Sequence, residues 1–211
     1  PRSLKHQGYL LKEYLAYRAA NEITPASFKV RLVRIHYAPD DGGDVSTHLA
    51  FFVEDQKRLA ARLNLKLLSV PEISATRLDR QHMNQMSLFQ LMIGNVDWAA
   101  TSGGTGDCCH NFKLFEAQGG DVLAVPYDFD QTGLVNPVYA RVNSKLRLTS
   151  ITQRRYRGFC RNNTMLDANV ALFQSRRDAI LSLVDSVPEL SGSQRSGGKR
   201  YLRRFFTLID D

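Results

Sequence analysis

A β-hairpin with polar side chains at both ends is the feature that most limits how this chain folds. The stretch NFKLFEAQGGDVLAVPYD, residues 111–128, predicts two short strands joined by a Gly-Gly turn. Asn111 precedes the first strand, whereas Asp128 and Asp130 follow the second. Since the two arms of a hairpin run antiparallel, we predict that the side-chain oxygens of Asn111 and Asp128 lie within about 5 Å of each other, close enough to share one cation.

Hydrophobic periodicity organises the remaining chain into helices and one further strand pair. Apolar residues at helical spacing predict helices over residues 7–21, 55–68, 79–95, 162–187 and 198–209. Alternation predicts antiparallel strands at 28–37 and 47–55 around the turn PDDGG, and Gly and Ser predict a surface loop at 188–198. Strands that are preceded, separated and followed by helices predict an α+β fold.

The size and composition suit a single domain with a substantial core. The chain has 211 residues, 43% of them hydrophobic, which is ordinary for a globular protein. No stretch reaches the roughly 18 uninterrupted apolar residues of a membrane span, so we expect none. The opening PRSLKHQGYL has neither an initiator Met nor a signal-peptide core, and the expectation is a fragment that begins within a longer protein.

A net charge of +7, from 28 Lys and Arg against 21 Asp and Glu, favours anionic partners. The basic residues concentrate in RRYRGFCR, residues 154–161, and in GKRYLRRFF, residues 198–206. Neither zinc-finger spacing nor an aromatic-rich RNA-binding signature accompanies them, so nucleic acid is not the expected partner. Solvated helix faces are the commoner explanation of such clusters.

The three cysteines are too few for a disulfide scaffold. Adjacent Cys108 and Cys109, followed by His110, lack the second ligand pair of a zinc site, since neighbouring residues rarely converge on one tetrahedral ion. A disulfide to Cys160 or to an upstream segment is the favoured arrangement if the protein is exported.

Acidic and amide side chains also follow the helix predicted at 79–95. Asp97 lies in GNVDW directly after this helix, and Asn111, Asp128 and Asp130 come later in the chain. Phosphoryl transfer needs such parts, namely oxygen ligands for Mg²⁺ or Mn²⁺ and a carboxylate that orients the incoming hydroxyl. The alternative is that these residues merely end a helix and form turns, positions that Asn and Asp favour.

The order of these motifs resembles a known family. GN-x-D, HN-x-K-L and PYDFD-x-x-G are similar to the catalytic core of the atypical kinases related to spore-coat CotH, with a more distant similarity to HipA and the secretory-pathway kinases. EYLAYRAANEITPASFKVRLVRIHY and AFFVED extend the resemblance, which covers about residues 7–140. It implies a protein-kinase-like fold with part of an N-lobe at 1–55 and a mostly helical C-lobe carrying the catalytic hairpin at 56–211. The phosphate-binding region is expected upstream of this chain.

The resemblance also assigns roles within the acidic core. Asp97 would be the catalytic-loop carboxylate, and Asn111 would be a metal ligand. Asp128 would be the principal metal-binding carboxylate, and Asp130, two residues on, a ligand of a second metal. These roles imply ATP with Mg²⁺ or Mn²⁺ as cofactors.

Three further residues are assigned to nucleotide binding by the same resemblance. Glu13, on the first helix, would pair with a phosphate-binding lysine, although an exposed helix acid paired to a nearby base is an equal alternative. Glu54 and Asp55 would lie near the adenine hinge.

The spacing between Asp97 and Asn111 predicts an excursion of the chain. They stand 14 residues apart (111 − 97), against about five in the standard catalytic loop. Residues 99–109 must therefore loop out and bring both side chains back to one cleft. Gly103, Gly104 and Gly106 supply the flexibility for this.

The implied activity is transfer of a phosphoryl group from ATP to a Ser or Thr hydroxyl of a protein substrate. Two alternatives remain open: a pseudokinase or binding module that docks an acidic partner through its basic face, and another nucleotide-dependent transfer such as AMP transfer. His110 is expected to be a structural neighbour of Asn111, and Tyr139 belongs either to a substrate-facing loop or to a turn. The resemblance favours a periplasmic or secreted location.

Overall fold

The computed structural model describes residues 4–103 and 108–210, which form helices and two small antiparallel sheets. The α+β class predicted from the sequence is confirmed at this level. The helices are α1 (Leu4–Ile23), α2 (Gln56–Leu63), α3 (Arg80–Ile93), α4 (Leu166–Ser175), α5 (Arg177–Leu183) and α6 (Gly192–Asp210). The strands are β1 (Val30–Tyr37), β2 (Ser46–Val53), β3 (Lys66–Leu68), β4 (Phe112–Glu116) and β5 (Val122–Pro126).

Both predicted strand pairs are present. β1 and β2 form a two-stranded antiparallel sheet whose register runs from Val30 opposite Val53 to Tyr37 opposite Ser46. β4 and β5 form the predicted hairpin, and β3 adds an antiparallel strand to the outer edge of β4. The hairpin turn contains Gly120 with φ +86°, a left-handed conformation that glycine adopts without steric cost.

Helix α3 is the buried helix that leads to the candidate site. Asp79 caps its start by accepting a hydrogen bond from the His82 amide, and Gly94 ends it in the left-handed conformation with φ +66°. Its methionines, including Met83 and Met86, are fully buried, as their helical spacing predicts. A Cβ at Gly94 would collide with the Tyr201 hydroxyl, so glycine is required there for packing as well.

Three sequence-based assignments, two helices and one loop, differ from the structure. The helix predicted at 55–68 ends at Leu63 because Asn64 adopts a left-handed C-cap, after which residues 66–68 pair with β4. The helix predicted at 162–187 is interrupted at Arg176, which separates α4 from α5.

The loop predicted at 188–198 is largely helical because a capping box begins α6. The Ser191 hydroxyl accepts from the Gln194 amide at 3.3 Å, and the Gln194 side chain accepts from the Ser191 amide at 2.9 Å. This motif outweighs the Gly and Ser content that suggested a loop.

One hydrophobic cluster links α1 to α6 and fixes the backbone around the acidic residues. Phe129, fully buried, packs against Tyr17 of α1 with ring centroids 4.5 Å apart and against Phe89 of α3 at 5.3 Å. Because Asp128 and Asp130 flank this anchored ring, their backbones are held where α1, α3 and the hairpin meet.

Within residues 4–103 and 108–210, no helix has the length and apolar character needed to cross a membrane.

Candidate functional site

The hairpin's open end places Asn111 beside the segment that carries Asp128. Phe112 pairs with Pro126, and the Tyr127 amide donates to the Asn111 carbonyl at 3.1 Å. Asn111 and Asp128 both have left-handed backbones, with φ +57° and +61°. Such conformations cost energy for most side chains, least for Asn and Asp, and they concentrate at functional sites. The predicted 5 Å separation of their side-chain oxygens stays a prediction.

Asp97 lies against the residues that enter β4. Its backbone amide donates to the Asn95 side chain at 2.9 Å, which turns the chain just after α3. Its carboxylate is 2.9 Å from His110 Nε2, and the Asn111 side-chain amide donates to its carbonyl at 2.8 Å. Asp97 and Asn111 therefore meet despite their separation in sequence.

The intervening segment packs locally, as predicted. The Ala99 amide donates to the His110 carbonyl at 3.0 Å, and the Ile73 amide donates to the Thr101 carbonyl at 3.1 Å. These hydrogen bonds bring the chain back to Asp97. In the described part of the segment, no helix separates Asp97 from Asn111. Gly104 and Gly106 lie outside the described residues.

The cysteines are not arranged as the sequence predicts. Cys108 and Cys109 are bonded to each other as a vicinal disulfide, whereas Cys160 is free and exposed. The expected bridge from this pair to Cys160 is therefore wrong: each sulfur already has its adjacent partner.

Glu13 of α1 faces the two carboxylates that follow β5. Burial raises the pKa of Glu13 to about 7, and the charges of Asp130 and Asp128 add to this effect. A hydrogen bond from the Phe129 backbone opposes it. One helical turn further on, the Tyr17 hydroxyl accepts from the Asp128 amide at 2.9 Å. Helix α1 thus contacts the Asp128–Asp130 segment through two side chains spaced i, i+4.

The carboxylates repel one another. The pKa of Asp128 is raised by burial and by the charges of Asp130 and Asp97, while His110 opposes the rise. Burial raises the pKa of Tyr139 to about 12, and the neighbouring Asp130 carboxylate adds to this effect. A bound cation would relieve this repulsion between the carboxylates.

A cleft of about 620 Å³ opens beside Glu13 and Asp130, between the start of α1 and the β1–β2 sheet. Tyr139 lines it as well, which favours the substrate-facing alternative for that residue. No Lys or Arg occurs among the described residues that line it. None of the ion pairs found in residues 4–103 and 108–210 includes Glu13, so the exposed helix ion pair considered for it is not present there.

Replacing Glu13 with glutamine should flatten the pH dependence of stability in metal-free protein. A carboxyl whose folded pKa lies near 7, above its ordinary value of 4.5, binds its proton more tightly in the folded state. The free energy of unfolding therefore falls as pH rises from about 4.5 to 7, by about 1–3 kcal/mol for such a partly buried group. Glu13→Gln should be more stable than wild type at pH 8 by that amount, as urea unfolding with a chelator would measure.

Glu22→Gln, on the same helix, is the matched control and should keep the wild-type slope. Equal slopes for Glu13→Gln and wild type would contradict the burial of Glu13 among carboxylates.

Glu54 and Asp55 make structural contacts. Glu54 forms a two-bond ion pair with Arg62, at 2.9 and 3.0 Å, and accepts from the Lys29 amide. These partners lower the pKa of Glu54 against the effect of its burial, which is the largest single influence and raises it. Asp55 caps α2 by accepting from the Lys57 amide at 2.8 Å. Their predicted proximity to adenine remains a prediction.

Replacing Asp55 with alanine should lower the free energy of unfolding by about 1 kcal/mol, because the first turn of α2 loses its cap. Asp55→Asn should retain most of the stability. Urea unfolding without nucleotide measures both, and equal stability of Asp55→Ala and wild type would contradict the capping role.

Sequence reasoning missed Arg157, which lies under the Asp97 loop. Its guanidinium donates to the carbonyls of Val96 and Trp98 at 2.8 and 2.6 Å and stacks on the Trp98 ring at 4.7 Å. Burial lowers its pKa, and the charge of Asp97 opposes this. The sequence favours a solvated face for the basic cluster at 154–161. Hydrophobic periodicity gives no signal for a half-buried arginine that lies outside a helix or strand.

The donor set fits a hard divalent cation shared with a phosphate. Among the described residues, no group of three or more His, Cys, Asp and Glu side chains is placed to hold a metal unaided. Kinase-type sites bind Mg²⁺ with one or two protein oxygens and complete the shell with phosphate and water. The amide of Asn111 and the carboxylates of Asp128 and Asp130 provide oxygens of that kind.

Comparison of the chain with family models, curated proteins and solved structures finds no match.

Proposed function

We propose that this chain is the catalytic core of a CotH-like kinase that transfers a phosphoryl group from ATP to a protein Ser or Thr hydroxyl. The observation that carries the proposal is the meeting of Asp97 with Asn111 at the hairpin end where Asp128 also lies. The charges of Asp97 and Asp130 both act on Asp128, so these groups surround one location. Phosphoryl transfer requires this combination of a hydroxyl-orienting carboxylate and oxygen ligands for a cation.

The kinase-like fold is part of the proposal. The order of elements supports it: helix α1, the β1–β2 pair, largely helical chain to α3, the β4–β5 hairpin and then helices. Residues 1–55 would form part of an N-lobe and residues 56–211 a C-lobe. Contact of α1 with the segment after β5, through Glu13 and Tyr17, agrees with a helix that joins the lobes.

Each side chain has a role that follows from its position. Asn111 and Asp128 would hold Mg²⁺ or Mn²⁺, with Asp130 available to a second ion, and the bound metal supplies charge neutralisation on the phosphates. Asp97 accepts the proton of the incoming hydroxyl, and the hydrogen bond to His110 orients its carboxylate. Tyr17 fixes the backbone of Asp128.

A binding module or pseudokinase is the second candidate. The absence of Lys and Arg among the described residues lining the Glu13 cleft favours it, since nucleotide phosphates need cationic contacts. AMP transfer uses the same metal ligands and is the third outcome.

One experiment separates these three functions. Intact protein is incubated with Mg²⁺ or Mn²⁺, Ser- and Thr-containing protein substrates, and ATP labelled on either the α- or the γ-phosphate. We expect label from the γ-phosphate only. Label from the α-phosphate would indicate AMP transfer, and no label together with no nucleotide binding would leave the binding module.

A further inference from the structure

A second, basic pocket lies where α1 and α6 meet the chain that follows Asp130. It has a volume of about 210 Å³, and its walls include Lys12 of α1 and Arg200 and Arg204 of α6. Asn136 and Thr152 add polar side chains, and the described residues that line it include no Asp or Glu. The two arginines stand one helical turn apart, so their guanidinium groups project to the same side of α6.

The positive charges of this pocket are uncompensated. No ion pair in the described parts of the chain includes Lys12, Arg200 or Arg204. Lys12 is partly buried and donates to the Val135 carbonyl at 2.9 Å, and its burial lowers its pKa. A partly buried cation such as Lys12 is costly without an acid unless an anion joins it.

A fourth cation, Arg154, contacts Tyr201, which lines the pocket. Arg154 stacks on the Tyr201 ring at 3.8 Å and donates to the carbonyls of Leu91, Met92 and Tyr201. The charge of Arg204 lowers the pKa of Arg154 in addition to the effect of burial, so these like charges are close enough to repel. Although Arg200 and Arg204 are exposed, they and Lys12 line the same small pocket.

We propose that this pocket binds a phosphate group, either as the free anion or as the phosphoryl group of a modified hydroxyl. Two guanidinium groups and an ammonium group supply many donors to tetrahedral oxygens, and a doubly charged anion offsets the convergent charges better than a carboxylate does. The small volume suits one phosphate and excludes a whole nucleotide. This inference does not depend on the proposed kinase activity.

Phosphate in this pocket would tie α1 to the segment after the candidate site. Gly133 and Leu134 donate backbone hydrogen bonds to Gly94 and Ile93 at the end of α3, and Lys12 bonds the next carbonyl, that of Val135. The anion would bridge Lys12 to α6 and thereby stabilise this junction in the folded state alone.

Thermal unfolding and calorimetric titration of the intact protein test the proposal. The titrants are inorganic phosphate and a phosphoserine peptide with no other charged group. The ionic strength is held constant with chloride, and a chelator removes divalent metal. We expect phosphate to raise Tm by several degrees at concentrations far above its Kd, while chloride does not. If the phosphopeptide binds as well, the pocket also accepts a phosphoryl group attached to a peptide. If inorganic phosphate alone binds, the pocket accepts only the free anion.

The matched variants carry equal changes of charge. Arg200→Glu/Arg204→Glu should weaken phosphate binding at least tenfold, whereas Arg31→Glu/Arg58→Glu, on another basic surface, should bind as wild type does. Lys12→Met should also weaken phosphate binding. This single variant tests the pocket if the double variant does not fold. A phosphate effect no larger than that of chloride, or wild-type binding by the altered pocket, would overturn the proposal.

Discussion

Replacing Asp128 with alanine should abolish metal-dependent nucleotide binding and turnover in the intact protein. Phosphoryl transfer depends on positioning and charge neutralisation, and in the proposed kinase this carboxylate would hold the cation that neutralises the phosphates. Isothermal titration with ATP and Mg²⁺ should show no saturable heat for the variant. Fold stability should change little, since removing Asp128 relieves the repulsion that raises its pKa.

The left-handed backbone of Asp128 calls for a second variant. Alanine in this conformation costs about 1 kcal/mol more than Asp or Asn, so Asp128→Asn keeps the backbone while removing the charge. Asp121→Asn, an exposed aspartate at the hairpin turn, is the control and should bind nucleotide normally. Normal binding by Asp128→Asn as well would contradict the metal role.

Replacing Asp97 with alanine should spare nucleotide binding but slow transfer by about a hundredfold or more, because this carboxylate acts on the acceptor hydroxyl rather than on the phosphates. Radiolabel transfer from ATP measures the loss, and calorimetry verifies that binding is intact. Asp44→Ala, in the exposed β1–β2 turn, should transfer label at the wild-type rate. Full activity of both Asp97→Ala and Asp128→Ala would exclude the kinase function and leave the binding module.

Much of the site's framework follows from local sequence. The Gly-Gly turn and the alternating strands predict the hairpin that sets Asn111 beside the Asp128 segment. The apolar helical run that stops at GNVDW predicts a helix end just before Asp97. These signals depend on backbone preferences of a few adjacent residues, and for that reason a single sequence contains them.

Contacts between distant segments could not be predicted in this way. Tyr17 lies 111 residues from Asp128, and Arg157 lies 61 residues from the Val96 carbonyl that it binds. The sequence placed Tyr17 only within the helix predicted at 7–21. The same limitation explains why Lys12 and Arg204, on the first and last helices, gave no sign of lining one pocket.

The structure of the intact protein with Mn²⁺ and a non-hydrolysable ATP analogue tests the central claim most directly, because anomalous scattering locates the metal. The expected result is one Mn²⁺ ligated by side-chain oxygens of both Asn111 and Asp128, with these oxygens within about 5 Å of each other. Manganese bound elsewhere, or oxygens of Asn111 and Asp128 more than about 10 Å apart, would contradict a shared metal site and the phosphoryl transfer proposed from it.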